Sequence, residues 1–144
     1  HTFTMLEQRD DIGGTWSLFN YPGVRSDSDM HTLGFDFEPW TEKKAIADGP
    51  SILTYITRIV EKYQLRKNIA FGHKMLSASW STEEALWTLT VTDKLGNQHE
   101  KRARFLYMGT GYYDCCNTIT QHGKNRRTCN DAPAYTDLVC STSF

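Results

Sequence analysis

The chain has 144 residues, about the size of one domain, and its 39% hydrophobic and 12% aromatic content is enough for a core. A formal net charge of -1 argues against a broad basic surface for nucleic acid or for an anionic membrane. No apolar run approaches the ~20 residues that span a bilayer, and no signal-peptide pattern is present. We therefore expect neither a nucleic-acid partner nor a transmembrane segment.

All four cysteines follow Asp114; they are Cys115, Cys116, Cys129 and Cys140. A secreted disulfide framework usually distributes its cysteines through a small domain, so we expect a reduced, cytoplasmic protein. The adjacent pair lacks the spacing of a zinc site, and we expect no metal. Residues 115–144 show neither a helical nor a strand period, which predicts an atypical, disordered tail.

The beginning of the chain predicts a strand and then a long loop. Residues 2–6 are apolar or β-branched, as in a short buried strand. Residues 8–23 contain three glycines and a proline, and a long ordered loop of this kind is usually functional. Residues 27–33 predict a helical turn, with Asp27 or Ser28 as its N-cap.

The clearest helix begins near Asp48. Either Asp48 or Gly49 can cap it, and Pro50 suits its first turn. The apolar face expected from the helical spacing consists of Ile52, Leu53, Ile56, Ile59, Val60 and Tyr63. We expect the helix to end near Leu65.

Beyond this helix the hydrophobic period becomes that of strands. The expected strands are 69–71, 74–80, 86–92, 98–103 and 105–108. Trp87, Leu89 and Val91 alternate with threonines and should share one face. Residues 93–97 predict a hairpin turn. The run 105–108 is compact and apolar, which predicts a buried parallel strand that ends at a ligand-facing glycine turn.

The strongest chemical signal follows the first strand. Glu7 is placed to accept hydrogen bonds from a ribose diol, although a solvated charge at a strand end is the common alternative. Gly13 and Gly14 allow positive φ and close approach of the backbone to a phosphate or a ring. Thr15 adds a hydroxyl and Trp16 a flat surface; the alternative is an ordinary glycine turn beside a core tryptophan.

A second turn, at residues 21–23, leads into three polar residues. Arg25 can pair with a phosphate, and Asp27 can order a flavin edge or a nicotinamide, with Ser26 between them. The alternative is a local surface pair of Arg25 and Asp27, which contributes little to stability.

Together these motifs resemble the flavin-dependent monooxygenases of the Baeyer–Villiger and flavin-containing types, in the manner of the bacterial ethionamide-activating group. The resemblance covers about the first four-fifths of the chain. The matching segments are 7–16, 21–35, 37–40, 45–49, 73–81 and 109–114.

The resemblance implies an α/β flavoprotein with two dinucleotide-binding domains, one for FAD and one for NADPH. Residues 1–114 would form a partial FAD-binding, Rossmann-like domain with an inserted antiparallel β-meander. The family inserts one oxygen atom from O2 into a ketone or a soft heteroatom through a flavin C4a-peroxide or hydroperoxide. The cofactor carries this chemistry, so no catalytic side chain is assigned. The identity of the small-molecule substrate (ketone, thioamide, sulfide or amine) and the oligomeric state stay open.

The resemblance also implies which residues contact the cofactors. Glu7 would bind the adenosine ribose, and Met75 would offer its backbone to the adenine. Gly109 and Gly111 would let the last strand approach the cofactor. The residues that would line the FAD are Gly14, Thr15, Trp16, Ser17 and Leu18. Those that would face the flavin and the nicotinamide are Arg25, Ser26 and Asp27.

Two departures from the family support an alternative. The Gly-x-Gly-x-x-Gly unit expected before Thr2 is absent from this sequence, and the residues after Asp114 leave the family pattern. The alternative is a catalytically inactive, truncated or frame-shifted remnant with no cofactor binding of its own.

We expect the purified 144-residue chain to be colourless, because the absent glycine-rich loop supplies the pyrophosphate site at a helix N-terminus. Absorption spectroscopy after gel filtration measures the flavin that the protein retains. A yellow protein with near-stoichiometric flavin would contradict this expectation.

Overall fold

The computed structural model describes residues 2–111 and 139–142. The chain divides into two compact units. We call residues 1–11 and 68–144 the sheet unit and residues 12–67 the helical unit. Within the described residues, no helix is long and apolar enough to cross a membrane. The architecture is mixed α/β, as the sequence predicts.

A four-stranded sheet forms one layer of the sheet unit. Its strands, in order across the sheet, are β2 (Ile69–Phe71), β1 (Thr4–Glu7), β7 (Val139–Thr142) and β6 (Phe105–Met108). Strand β1 pairs in parallel with β2. Strand β7 lies between β1 and β6 and is antiparallel to both. The remainder of the predicted tail, 115–138 and 143–144, lies outside the described residues, so its predicted disorder stays a prediction.

The environment of β6 differs from the prediction of a buried parallel strand. Its partner β7 runs antiparallel to it, and Phe105 and Tyr107 are each 70% exposed. The physical reason is the position of β6 at the edge of the sheet, where it is hydrogen-bonded on one side. Local hydrophobicity identified the strand, but the partner comes from a distant part of the chain.

The second sheet is an antiparallel meander, as predicted. It consists of β3 (Lys74–Ser81), β4 (Leu86–Thr92) and β5 (Gln98–Ala103), in that order. The β4–β5 turn is held by Asp93, whose Oδ1 accepts hydrogen bonds from Leu95 N and Asn97 N, both at 2.9 Å. The Asn97 side chain is the largest cause of the lowered pKa of Asp93.

The core of the sheet unit confirms the predicted alternation along β4. Leu89 and Val91 are fully buried and pack with Leu6 and Met75. Trp87 is partly buried against the same cluster. The alternating threonines therefore lie on the opposite face, because successive strand residues point to opposite sides.

The helical unit is organised around α3, which covers Gly49–Lys62. Asp48 is its N-cap: Oδ1 accepts hydrogen bonds from Ser51 N at 3.0 Å and from Ser51 Oγ at 2.7 Å. The helix ends at Lys62, before the predicted end near Leu65. Gln64 adopts a φ of +52°, and this left-handed residue ends the helical conformation.

The buried face of α3 matches the predicted one in part. Ile52, Ile59 and Val60 are buried, but Tyr63 is 42% exposed. Tyr55 is buried although the apolar pattern omitted it. Its hydroxyl donates to Glu38 O and accepts from Phe35 N at 2.9 Å, so the polar end of the ring is satisfied inside the core.

Two shorter helices precede α3. Helix α1 (Thr15–Leu18) lies within the predicted loop, and α2 covers Met30–Leu33. The N-cap of α2 is Asp29, and the prediction of Asp27 or Ser28 was wrong. The Asp29 carboxylate accepts from His31 N at 2.8 Å, which fixes the start of the helix at Met30, a buried core residue.

Gly13 lies where α1 approaches α3. Its φ is +112°, and a Cβ there would lie 2.5 Å from Leu53 Cδ1 and 3.0 Å from Ser17 Cβ. The positive φ strains any side chain at this position, and a Cβ would also require the end of the Leu53 side chain to move. Gly23 has a φ of +87°, but a Cβ built on it would meet no other described atom within 4 Å.

We expect the pH dependence of stability to include a contribution from Asp48. Its hydrogen bonds with Ser51, and then with Lys44, lower its pKa from 3.8 to about 2. A lowered folded-state pKa stabilises the fold above pH 3.8, and this stabilisation is lost as the pH falls toward about 2. Urea unfolding of wild type and Asp48→Asn at several pH values measures it. Asparagine can also serve as the N-cap of α3, so the variant should lose only the part of its stability that depends on acid pH. Parallel pH curves would contradict this assignment.

Replacing Gly13 with alanine should destabilise the fold more than replacing Gly23. Both changes force a side chain into positive φ, at a cost of about 1–2 kcal/mol. Only Gly13→Ala also displaces the end of the Leu53 side chain and brings a Cβ to 3.0 Å from Ser17 Cβ, which we expect to add about 1 kcal/mol to the loss. Urea unfolding of the two variants compares them. Equal losses would show that the α1–α3 contact tolerates a methyl group.

Candidate functional site

Glu7 occupies the end of β1, beside the parallel strand β2. Its side chain is nearly buried, and Oε1 accepts a hydrogen bond from Arg9 N at 2.8 Å. Its main-chain oxygen accepts from His73 N at 2.9 Å. These contacts fix the carboxylate at the carboxyl end of the parallel pair, which is the edge where open α/β sheets bind ligands.

The glycine turn after β6 reaches the same edge of the sheet. Leu6 and Met108 both pair with Val139, and β1 and β6 run in the same direction. Glu7, the last residue of β1, and Gly109, which comes directly after β6, therefore lie at the same end of the sheet. Gly111 has a φ of +69°, and no atom of the described residues lies within 4 Å of the position that a Cβ would occupy. The backbone there is open to close approach.

Met75 contributes to this unit mainly through packing. Its side chain is 5% exposed and belongs to the core cluster that contains Leu6. The pairing of β3 with β4 shifts register between Met75 and Ser77. The predicted contact with adenine involves the backbone of Met75, and it stays a prediction.

In the helical unit, the two glycines begin α1. Gly13 and Gly14 have φ values of +112° and +47°. The carbonyl of Gly13 accepts from Trp16 N at 2.9 Å, and that of Gly14 from Leu18 N at 2.9 Å. A Cβ on Gly14 would meet no atom of the described residues within 4 Å. The loop thus combines an accessible backbone with the hydroxyl of Thr15 and the ring of Trp16.

A cavity of about 850 Å³ lies beside α1, and we call it the Trp16 cavity. Residues that line it include Trp16, Ser17, Phe19, Tyr21, Arg25 and Leu53. The rings of Phe19 and Tyr21 meet edge to face, with centroids 6.3 Å apart. Trp16, Ser17 and Arg25 are predicted site residues, whereas Phe19, Tyr21 and Leu53 were not predicted to belong to a site. The size is that of a small-molecule site with mainly apolar walls.

The three predicted residues after the second turn have different environments. Ser26 is buried; its amide donates to Ala47 O at 2.8 Å, and its Oγ accepts from Ala47 N at 3.2 Å. Arg25 and Asp27 are exposed, and in the described part of the chain no ion pair joins them. Ser26 therefore anchors the segment while its neighbours face outward.

Among the described residues, no group of three or more His, Cys, Asp or Glu could hold a metal ion. Three of the four cysteines, Cys115, Cys116 and Cys129, lie outside those residues.

Comparison with known proteins identifies close relatives, although no protein-family model matches the sequence. The chain is 50% identical over 113 residues to the FAD-containing monooxygenase EthA of Mycolicibacterium smegmatis. It is 43% identical over 112 residues to the probable FAD-binding monooxygenase AlmA of Acinetobacter baylyi. Each match covers 78% of this chain but only 23% or 22% of the relative. The chain thus spans under a quarter of the length of these relatives.

Solved structures agree with this result. Cyclohexanone monooxygenase from Rhodococcus sp. Phi1, bound to NADP+, matches with a TM-score of 0.56 and 31% identity, over 69% of this chain and 19% of that one. OTEMO in complex with FAD and NADP matches with a TM-score of 0.58 and 27% identity, over the same shares. The resemblance read from the motifs is confirmed. The chain belongs to the flavin-dependent monooxygenases of the Baeyer–Villiger and flavin-containing types, and it corresponds to a segment of them.

Proposed function

We propose that this chain is part of the FAD domain of a monooxygenase that uses FAD and NADPH to insert one oxygen atom from O2 into a ketone or a soft heteroatom. The names of EthA and AlmA support the flavin, and the NADP-bound structures support the nicotinamide cofactor. The observation that carries the proposal is the common sheet edge where Glu7 and the turn 109–111 lie.

The sheet unit suits the adenosine part of FAD. A carboxylate at the end of a parallel strand accepts hydrogen bonds from a ribose diol. Glu7 is held there by Arg9 N, so its carboxylate has a fixed position. In the part of the chain that the structure describes, the Cβ position of Gly111 is clear, which would let a ligand approach the backbone beside β6. Met75 would add a backbone contact to the adenine.

The helical unit suits the redox end of the cofactors. Gly14, whose Cβ position is clear of other described residues, would let a ring or a phosphate come close to the backbone, and Thr15 would add a hydroxyl. Trp16, Ser17 and Leu18 would continue this lining along α1. Arg25, beside the Trp16 cavity, provides a fixed positive charge for a phosphate, and the exposed Asp27 provides a carboxylate for a nicotinamide amide.

The role of this segment in the reaction is binding and exclusion of water. When bound, FAD would carry the redox chemistry with NADPH and O2. The protein would hold the cofactors in position and shape their environment. The apolar walls of the Trp16 cavity would keep water from the reacting groups. A ketone substrate is supported by the name of cyclohexanone monooxygenase. Substrates that receive the oxygen atom at sulfur or nitrogen are the second class.

We expect residues 2–114 of this chain to replace the matching segment of the M. smegmatis EthA and still give a flavoprotein, because 50% identity over 113 residues conserves the fold. The chimera should retain FAD through gel filtration and oxidise NADPH in the presence of O2. Within it, Glu7→Gln should weaken FAD binding about tenfold through loss of a charged acceptor.

Glu61→Gln is the matched control, because Glu61 lies on an exposed part of α3 and pairs with Arg66 at the surface. It should leave FAD affinity unchanged. A folded, soluble chimera without FAD would contradict the proposal and favour the inactive remnant. If the two variants change FAD affinity equally, Glu7 does not bind FAD.

A further inference from the structure

The turn between β4 and β5 reaches the loop that follows Glu7. Lys94, in this turn, forms an ion pair with Asp10, three residues after Glu7. Both residues belong to the sheet unit. The two side chains are 56% and 76% exposed, so the attraction between their charges contributes little by itself. Any further role of Lys94 must therefore come from its other contacts.

The turn gives the Lys94 side chain a fixed starting point. Asp93 N donates to Asn97 O at 3.0 Å, and Gly96 N donates to Asp93 O at 3.1 Å. The Asp93 carboxylate also accepts hydrogen bonds from Leu95 N and from both the amide and the side chain of Asn97. These hydrogen bonds enclose the backbone of Lys94, and its side chain therefore leaves from a rigid turn.

The methylene stem of Lys94 lies against Gly72, in the turn between β2 and β3. Gly72 is buried and has a φ of +68°. A Cβ on Gly72 would lie 2.6 Å from Lys94 Cγ and 2.9 Å from Lys94 Cδ. A lysine stem can cover protein surface in this way while the ammonium group stays in water. Lys94 therefore contacts the β2–β3 turn with its stem and Asp10 with its ammonium group.

The same β2–β3 turn binds the segment that contains Glu7. His73 N donates to Glu7 O at 2.9 Å, and Gly72 N donates to Arg9 O at 3.0 Å. Arg9 N donates to Glu7 Oε1 at 2.8 Å, and the Glu7 side chain is nearly buried. The orientation of the carboxylate thus depends in part on the position of the Arg9 amide. Asp10, the partner of Lys94, is the next residue.

We propose that Lys94 is a positioning residue for FAD binding. It fixes residues 9–10 against the β2–β3 turn, so that the Arg9 amide keeps the Glu7 carboxylate directed at the ribose. The inference rests on the proposed function, because it takes Glu7 as a residue that binds FAD. Lys94 acts through Glu7 and not through a contact of its own with the cofactor. Loss of Lys94 loosens the loop and lets the carboxylate take other orientations.

Hydrogen exchange in the 15N-labelled 144-residue chain, followed by NMR, tests the contact without FAD. Lys94→Ala should speed exchange of the Arg9 amide about fivefold, because an amide exchanges when its hydrogen bond opens. Lys94→Met keeps the stem and should have a smaller effect, and Lys94→Arg should restore the wild-type rate. The Leu89 amide, in the central strand of the meander, should keep its rate.

Two results would overturn the proposal. One is an unchanged Arg9 rate in Lys94→Ala. The other is equal acceleration at Arg9 and Leu89, which would indicate a loss of overall stability. If Lys94→Ala does not fold, as judged by circular dichroism, Lys94→Met decides, since it keeps the contact with Gly72 and removes only the charge.

Arg102→Met is the matched control. Arg102 pairs with Glu84 toward the other end of the meander, so this variant also removes one exposed cation together with its ion pair. It should leave exchange of the Arg9 amide unchanged. Equal acceleration by Arg102→Met would indicate a nonspecific effect of charge and would overturn the role of Lys94.

FAD affinity in the EthA chimera tests the step from the loop to the cofactor. Lys94→Ala should weaken FAD binding about threefold, and Lys94→Arg should leave it unchanged. Added to Glu7→Gln, Lys94→Ala should cause no further loss, because residues that act through one contact are not additive. A further threefold loss would overturn the proposal. A chimera without FAD would instead contradict the proposed function, and the exchange rates would still show whether Lys94 orders the loop.

Discussion

The helical unit depends on a short antiparallel pairing between residues 24–26 and 47–49. Ser26 N donates to Ala47 O at 2.8 Å, and Gly49 N donates to Val24 O at 2.9 Å, around the bridge of Arg25 with Asp48. This pairing buries Ser26 and Ala47. It brings the end of the second turn against the start of α3, although the two segments are distant in sequence.

Space at the same junction is equally restricted. A Cβ on Gly49 would lie 2.9 Å from Val24 Cγ1 and 3.7 Å from Trp16 Cε3. The helix therefore starts at a residue without a side chain, and Asp48 supplies the cap beside it. The Trp16 cavity adjoins this junction, since Val24, Arg25 and Asp48 all line it.

The sequence predicted the elements whose signals are local. The strands 86–92, 98–103 and 105–108 have the expected bounds, because alternation and the turn at Asp93 are encoded in neighbouring residues. The cap at Asp48 was among the two predicted. The antiparallel partner of β6 was not predictable, since it comes from residues 139–142 and no local pattern specifies pairing across that distance.

The site shows the same limit. Glu7 and the glycine turns could be read from composition and order, and their backbone conformations suit the expected role. The burial of Ser26 could not be predicted, because it depends on hydrogen bonding with Ala47, which lies 21 residues further along the chain. Tyr55 was missing from the predicted apolar face, although it lies three residues after Ile52 and four before Ile59 and so shares their side of the helix. The lining of the Trp16 cavity by Leu53 likewise needed three-dimensional packing.

The hydroxyl of Tyr55 has a consequence for local opening of the protein. It binds Phe35 N and Glu38 O, the two ends of one turn, from a helix later in the chain. Phe35 lies outside the helices of the described residues. The partner of its amide is nevertheless the side chain of Tyr55, which is anchored in the core. Exchange of this amide with deuterium requires the turn to separate from α3. Its protection thus reports the free energy of opening the core, unlike that of ordinary loop amides.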